Sequence, residues 1–276
     1  MTPTITAPGL VQLTRAGVEA FSRQRAEPDW LLHARLAAWD RYEALPKPTT
    51  RDKGWKRTDI SRLDLDRLAA PFEGAAAPSQ GDLSTAIGES AEQSGLLVLR
   101  NGLTARLELD DQLARRGVLI MRLADAVRDY PQLVRDHLSR RQVSPTESKL
   151  DALAAALWTE GVLVYVPRGV TLEAPIQLVH WNDAPGATLS QTLIIAEEAS
   201  SVSLVSSYTS PEGLPESLAS GESTSSPSRP PASATSTSRS ATPRTGASWA
   251  SAPSRRATAP SPGSPSSSAA AQAATS

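Results

Sequence analysis

The chain has 276 residues, enough for one large domain or two small ones, and it carries 28 Lys and Arg against 29 Asp and Glu. The near-zero net charge gives no broad electrostatic footprint for nucleic acid or an anionic membrane, and the absence of cysteine excludes disulfides and thiolate ligation of a metal or cluster by this chain. The sequence shows neither a secretory signal nor an apolar stretch near the roughly 20 residues of a membrane helix, so we expect a cytoplasmic protein.

The N-terminal region is predicted to be helical. A first helix, weakened by Gly17, is indicated by apolar residues at helical spacing, namely Leu10, Leu13, Val18 and Phe21. A second helix begins at Pro28, which fits the first helical position, and stops before Pro46. Its apolar stripe is Trp30, Leu31, Ala34, Ala38, Trp39 and Tyr42.

A hairpin is predicted after an Ala/Pro/Gly-rich surface loop at 71–80. Residues 96–99 form a strand that enters a tight turn at Asn101-Gly102, and 103–109 alternate apolar and polar residues as the return strand.

Helical patterns return after a short strand at 117–121. The helix predicted over 127–138 contains Pro131, so we expect it to be kinked or split. The next helix has a start signal at 144–147, where Ser144 can cap and Glu147 completes a capping box. Its buried stripe is Leu150, Leu153, Leu157 and Trp158.

From Val162 the apolar period changes from helical to two. Short β-branched segments are punctuated by turns at 167–169, 184–186 and 197–199, with no crossover helices between them. This pattern favours a β-solenoid or an antiparallel sandwich, and periodicity does not separate the two.

Composition changes after Leu218. Residues 219–276 contain no Val, Ile, Leu, Met, Phe or Tyr and consist mainly of Ser, Ala, Pro, Thr and Arg. Such a segment has too little apolar surface to offset the entropy of ordering, so we expect it to be disordered.

The residue types of this tail also suggest a frameshift. Almost all can be encoded with C or G at the second codon position; only Glu222 and Gln272 need A there, and none needs U. A GC-rich gene read one base out of register would produce this bias. The alternative is a genuine Ser/Pro/Ala-rich linker.

Two segments resemble the SufB/SufD family. The first contains Glu27-Pro28-Asp29-Trp30-Leu31-Leu32, Arg35-Leu36, Ala38-Trp39, Leu45-Pro46-Lys47-Pro48-Thr49 and Arg51-Asp52-Lys53-Gly54-Trp55-Lys56-Arg57-Thr58-Asp59. The second contains Asp151-Ala152-Leu153, Ala156-Leu157-Trp158-Thr159-Glu160-Gly161-Val162, Tyr165-Val166-Pro167-Arg168-Gly169-Val170, Glu173, Pro175-Ile176-Gln177-Leu178, Ile195-Ala196-Glu197-Glu198 and Tyr208. The Trp-Lys-Arg-Thr stretch is closer to the SufD branch, and Gly54 departs from the acidic residue typical there.

This resemblance implies an α+β N-terminal region followed by a right-handed parallel β-helix, here incomplete. It divides the chain into an N-terminal helical and mixed domain at 1–145, a capping helix with the first β-helix rungs at 146–218, and the disordered tail at 219–276. It also implies a scaffold for iron–sulfur cluster assembly that works with SufB-like and SufC-like partners, the latter hydrolysing ATP. The family's C-terminal docking parts would lie beyond Leu218, so we expect docking to be impaired.

No residue is predicted to be catalytic or to ligate a metal, and no cofactor-binding residue is identified. His33, His137 and His180 lack metal-site spacing and are interpreted as packing or surface residues. Glu197-Glu198 is interpreted as a solvated turn. Four tryptophans are interpreted as core anchors, and four basic residues as a solvated face; they are Trp30, Trp39, Trp55 and Trp158, and Arg51, Lys53, Lys56 and Arg57.

The alternative function is carbohydrate binding or cleavage on a β-solenoid. Solenoid enzymes that cut acidic sugars need clustered carboxylates and are usually exported, and this sequence shows neither feature. No phosphate-binding loop of the Gly-x-x-x-x-Gly-Lys-Ser/Thr type occurs, so the scaffold interpretation assigns ATP hydrolysis to a partner.

Overall fold

The computed structural model describes most of the chain up to residue 240. The described residues are 10–52, 56, 59–61, 63–65, 68–71, 78–79, 92–139, 148–184, 186–210, 217–227 and 233–240. Within the last two ranges the backbone is described, and of the side chains only that of Leu218. No helix in these ranges is long and apolar enough to cross a membrane.

The N-terminal region begins with a strand rather than a helix. Strand β1 (Leu10–Gln12) pairs antiparallel with β2 (Ala69–Pro71), and helix α1 (Arg15–Gln24) follows. The prediction that placed Leu10 and Leu13 in the first helix is therefore wrong, because Thr14 caps the helix by accepting a hydrogen bond from the Gly17 N–H. A side chain at Gly17 would clash with the Gln12 carbonyl, 2.2 Å from its Cβ position.

Helix α2 (Asp29–Ala44) ends before Pro46, as predicted, whereas Pro28 is its N-cap rather than its first residue. The hairpin is also confirmed, since β3 (Gly95–Arg100) pairs antiparallel with β4 (Leu103–Leu109). Of the loop predicted at 71–80, residues 72–77 and 80 lie outside the described residues.

A helical insertion links the hairpin to the later strands. It contains α3 (Asp111–Arg115), β5 (Leu119–Arg122), α4 (Leu123–Asp129) and α5 (Pro131–Ser139). The helix predicted over 127–138 is thus split at Pro131, one of the two expected outcomes.

Helix α6 (Lys149–Leu157) begins later than predicted. Its capping box is formed by Ser148 and Asp151, while the predicted signal at 144–147 lies outside the described residues. Both stretches have Ser followed three residues later by an acidic residue, so spacing alone did not select between them.

The remaining strands alternate between two sheets. They are β6 (Glu160–Val166), β7 (Ile176–Trp181), β8 (Gly186–Ala196), β9 (Ser201–Thr209), β10 (Ser217–Pro227) and β11 (Ser233–Ser240). One sheet has the order β10-β8-β6-β5 and the other β11-β9-β7-β3-β4. Each of these later strands pairs in parallel with the strand two positions along the chain, so the antiparallel sandwich is not the observed pairing.

The apolar residues of β6 divide between two cores. Val162, Val164 and Val166 pack between the sheets against the apolar faces of β7 and β8. Leu163 instead packs on the outer face of the four-stranded sheet with helices α2 and α4. This division follows from the two-residue period of a strand, and it explains why β6 is apolar on both faces.

The predicted disorder of 219–276 is wrong for the parts that form β10 and β11. Their backbones extend the parallel ladders of β8 and β9. A sheet edge presents unpaired backbone groups that pair with another strand whatever its side chains, so apolar content underestimated order here. Residues 228–232 and 241–276 lie outside the described residues.

Candidate functional site at the junction of helices and sheets

The two family-like segments meet where α1 and α2 pack against α6 and the start of β6. The central side chain is Arg35 of α2, which is 0% exposed. Because it lies one turn from Leu31 and from Trp39 on the buried face of its helix, Arg35 must be paired to be tolerated there.

Arg35 is held by a carboxylate and two carbonyls. Its Nε and Nη2 donate to the two carboxylate oxygens of Glu27 at 2.8 and 2.9 Å. Its Nη1 donates to the carbonyls of Ala156 and Trp158, each at 3.1 Å. The guanidinium also lies 4.0 Å from the centre of the Trp158 ring. Arg35 therefore joins α2 to the end of α6 in two ways, by hydrogen bonds from its guanidinium and by the stacking of that guanidinium on the Trp158 ring.

A second ionic cluster surrounds Glu160, the first residue of β6, which is 1% exposed. Arg122 donates to its Oε2 through Nε at 2.8 Å and also through Nη2. Arg25 approaches the same oxygen at 3.8 Å and donates to the Thr159 carbonyl. Glu160 thereby connects α1, β5 and β6.

Gly161 is required at this junction by close backbone packing. A Cβ at this position would lie 2.1 Å from the Gln191 carbonyl oxygen of β8 and 3.2 Å from the Leu123 side chain. The run from Trp158 to Gly161 thus has a structural explanation at each end. Trp158 stacks on Arg35, and Gly161 lets two strands approach.

Sequence reasoning missed the roles of Glu27, Arg35 and Glu160. The available signal was an arginine within the apolar stripe of α2, since a buried charge requires a nearby partner. Which carboxylate supplies that partner depends on the turn between α1 and α2, and that turn is visible only in three dimensions.

The histidines lie apart. His33 is exposed on α2. His137 is buried on α5 with its Nδ1 2.8 Å from the Leu133 carbonyl. His180 is buried in β7 and stacks on Tyr208 with ring centres 4.2 Å apart. Among the described residues, no group of three His, Asp or Glu side chains is placed to hold a metal ion.

The other predicted features are largely explained by packing. Trp39 and Trp158 are buried and Trp30 packs partly against the core, which confirms three of the four anchors; Trp55 lies outside the described residues. Glu198 lies in a turn, where it is half-buried and pairs with the exposed Arg168, in agreement with the solvated-turn interpretation. Arg51 and Lys56 are exposed, and Lys53 and Arg57 lie outside the described residues.

A polar corner lies at the carboxyl ends of β3 and β7. Asp183 accepts hydrogen bonds from Arg100, Asn101 and Trp181. Burial opposes ionisation of Asp183, but the hydrogen bonds from Arg100, Asn101 and Trp181 and the charge of Arg100 together outweigh it and hold its pKa below the usual value. In the adjacent interior, burial lowers the pKa of His180 to about 3 and raises the pKa of Tyr208 to about 12.

The ion pairs and hydrogen bonds of Arg35 and Glu160 form a clamp between the N-terminal helices and the sheets. Its two carboxylates, Glu27 and Glu160, are each paired with an arginine, and its central guanidinium is buried. What the arrangement does is fix the N-terminal helices on the sheets.

Comparisons with known proteins agree with this placement. Residues 19–178 match the family model described as the SufBD protein N-terminal region. The chain is 32% identical over 197 residues to the iron-sulfur cluster assembly protein SufD of Bacillus subtilis, covering 70% of this chain and 44% of that protein. It is 27% identical over 223 residues to SufB of the same organism, covering 75% and 46%.

A plant relative extends the similarity. The chain is 24% identical over 213 residues to the chloroplastic SufBD family protein ABCI8 of Arabidopsis thaliana, covering 72% of this chain and 38% of that protein. The chain spans less than half the length of these curated relatives.

Proposed function

Because the chain belongs to the SufBD family, we propose that it is a scaffold subunit for iron–sulfur cluster assembly, of the SufD type. The observation that carries the proposal is the match of residues 19–178 to the family's N-terminal region, which runs from α1 through most of β7. The higher identity to SufD than to SufB of one organism, 32% against 27%, supports the SufD branch.

The scaffold acts through surfaces rather than through catalysis. The buried charges at the junction form ion pairs and hydrogen bonds that hold the helices and sheets together. The sequence has no phosphate-binding loop and no cysteine, so this proposal assigns ATP hydrolysis to a SufC-like partner in the cytoplasm and no thiolate ligation to this chain. This proposal assigns no residue of the chain to a cofactor.

The two-sheet region forms the first turns of a right-handed parallel β-helix in this proposal. Support comes from the strand order, since strands alternate between the sheets and pair in parallel two positions apart. The division at 145/146 and 218/219 stays a prediction, with β3 and β5 of the first part contributing to the same sheets as β6 and β7. An experimental structure with a left-handed connection from β6 to β8 would reject this fold.

Co-purification tests the function. The tagged full chain is co-expressed with the SufB-like and SufC-like proteins of its organism, and the expected result is specific but weak recovery of these partners, because docking is expected to be impaired. Arg35→Ala should lose both partners together with its own solubility, whereas Arg168→Ala, on an exposed turn, should retain them. A folded chain that recovers neither partner but binds polysaccharide would support the carbohydrate alternative instead.

We also propose that the composition change after Leu218 results from a shift of reading frame. The coding DNA around codons 210–225 decides it. Another frame should encode alternating apolar strands after this point, and if neither other frame does so, the tail is a genuine Ser/Pro/Ala-rich segment.

A further inference from the structure

The two parallel ladders end at strands whose composition differs from that of the strands before them. β10 is the outermost described strand of one sheet, and β11 is the outermost described strand of the other. β10 contains one large apolar residue, Leu218, and β11 contains none. By contrast, β8 and β9 bury a set of branched apolar side chains, namely Leu189, Leu193, Ile194, Ile195, Val202 and Leu204.

The outer strands cover the edges of β8 and β9 along almost their whole length. β10 pairs with every residue of β8 from Gly186 to Ala196, and β11 pairs with residues 201–208 of the nine-residue β9. Leu218 is 1% exposed and belongs to the same core cluster as Leu153 of α6. The segment is therefore anchored at its start by one apolar side chain, and it continues as a backbone paired with the sheets.

Without β10 and β11, the edges of β8 and β9 would be open. An edge strand presents a row of unpaired N–H and C=O groups that bind another extended chain, and long apolar edges promote aggregation. β8 has eleven residues, carries no charge and includes the run Leu193-Ile194-Ile195-Ala196. Uncharged segments of high β-propensity stack with identical segments of other copies. The chemistry of the open edge would therefore fit a second copy of this chain.

The outer strands replace these apolar edges with polar ones. Their residues are mostly Ser and Thr, with Glu222 on β10 and Arg239 on β11, and β10 ends at Pro227. Charged residues and proline protect natural sheet edges, because a charge is costly to bury between strands and proline has no N–H to donate. The opposite edge of the five-stranded sheet is protected similarly, since its outermost strand β4 carries Arg106 and Glu108.

We propose that residues 217–240 act as a strap that blocks strand addition by a second copy of the chain at the edges of β8 and β9. The strap occupies the backbone pairing that a strand of the second copy would use. Its sequence also offers a further strand few apolar residues to bury. Ladder hydrogen bonds are made by the backbone, so a Ser/Thr-rich segment is sufficient, whatever the origin of its reading frame.

Paired prolines in the full chain test the strap. Thr224→Pro/Ser225→Pro changes two adjacent residues of β10, which are opposite Leu193 and Ile194 in the register. Because the N–H groups of adjacent residues in a strand point to opposite edges, one of the two prolines removes a hydrogen bond to β8.

A second pair and a control complete the set. Thr237→Pro/Ser238→Pro makes the same test on β11, whose residues there are opposite Val205 and Ser206 of β9. Ala247→Pro/Ser248→Pro adds two prolines beyond the last paired residue of β11 and is the matched control.

Light scattering and thioflavin T fluorescence at rising protein concentration give the result. The β10 and β11 variants should show a mass that increases with concentration and a gain of thioflavin T fluorescence, whereas the control variant should match the parent chain. Variants that behave as the parent chain does would overturn the proposal.

Near-UV circular dichroism separates exposure of an edge from unfolding. The strap variants should keep the signal of the packed core around Trp39 and Trp158 at low concentration. Loss of this signal at every concentration would also overturn the proposal, because residues 217–240 would then belong to the folding core instead of shielding it.

Discussion

The helix–sheet junction and the polar corner at the carboxyl ends of β3 and β7 both bury polar groups, yet these groups are satisfied to different degrees. At the junction, Arg35 is paired with Glu27 and with the carbonyls of Ala156 and Trp158, and Glu160 is paired with Arg122 and Arg25. At the corner, the side-chain amide of Asn182 is buried without a hydrogen-bond partner among the described residues. The difference teaches that a buried charge requires a complete set of partners, whereas a buried neutral group tolerates an incomplete one at a smaller cost.

The largest expected effect comes from breaking the junction with Arg35→Ala. This change leaves Glu27 and two carbonyls without their buried donor, so the free energy of unfolding should fall by about 3–5 kcal/mol. Urea titration measures it.

The matched control is Arg168→Ala, whose guanidinium is 74% exposed and whose ion pair lies on a turn; little change is expected. The double variant Glu27→Gln/Arg35→Met should lose less than the sum of its single changes. Equal losses for Arg35→Ala and Arg168→Ala would mean that the clamp contributes nothing to stability.

Gly161→Ala should destabilise the protein somewhat less, by about 3 kcal/mol, because its Cβ would overlap a β8 carbonyl. Gly169→Ala is the control, with no atom within 4 Å of its Cβ position. Its φ of +70° should still cost about 1 kcal/mol. The prediction fails if Gly169→Ala is the more damaging of the two in thermal unfolding.

The burial of His180 predicts a pH dependence of the free energy of unfolding between pH 7 and 5. Its folded pKa of about 3 lies below the ordinary value of 6.5, so the unfolded chain takes up a proton first as the pH falls. Stability from the neutral ring is complete above about pH 6.5 and declines by about 1.4 kcal/mol per pH unit below it.

Denaturation at pH 7, 6 and 5 measures this slope in the parent chain and in His180→Phe. The variant should lose the dependence, while His33→Gln on the exposed face of α2 should keep it. An unchanged slope in a folded His180→Phe protein would assign the acid sensitivity to other groups.

The smallest effect separates the two corner asparagines. Asn101→Ala removes three hydrogen bonds from a residue with φ of +51°, and should cost about 1–2 kcal/mol. Asn182→Ala removes no hydrogen bond to a described residue and should cost less than about 1 kcal/mol. Equal losses in parallel urea titrations would show that the two positions are held alike.

Much of the fold followed from local patterns. Asn101-Gly102 identified the hairpin turn, and Pro131 identified the break between α4 and α5. The predicted element bounds were wrong where two local signals competed for the same residues or where a distant strand competed with a helix. Leu10 pairs with Pro71 in a strand instead of joining α1, and the capping box at Ser148 starts α6 instead of the one at Ser144.

The candidate site was only half predictable. Family-like residues such as Trp158 and Gly161 were recognised, but their physical roles were not. Those roles depend on contacts over long sequence distances, such as the bond from Arg35 to the carbonyl of Trp158. Spacing rules describe residues within one helix or strand, and they carry no information about a partner more than a hundred residues away.

The sequence by itself determined most element types, the absence of cysteine and the family resemblance. Only the tertiary structure decided that the strands pair in parallel, that Arg35 is a buried clamp and that the amide of Asn101 is bonded to Asp183 and Ala184. The physical reason is that alternation reveals which faces of a strand are buried, whereas pairing direction and polar partners depend on where the chain returns.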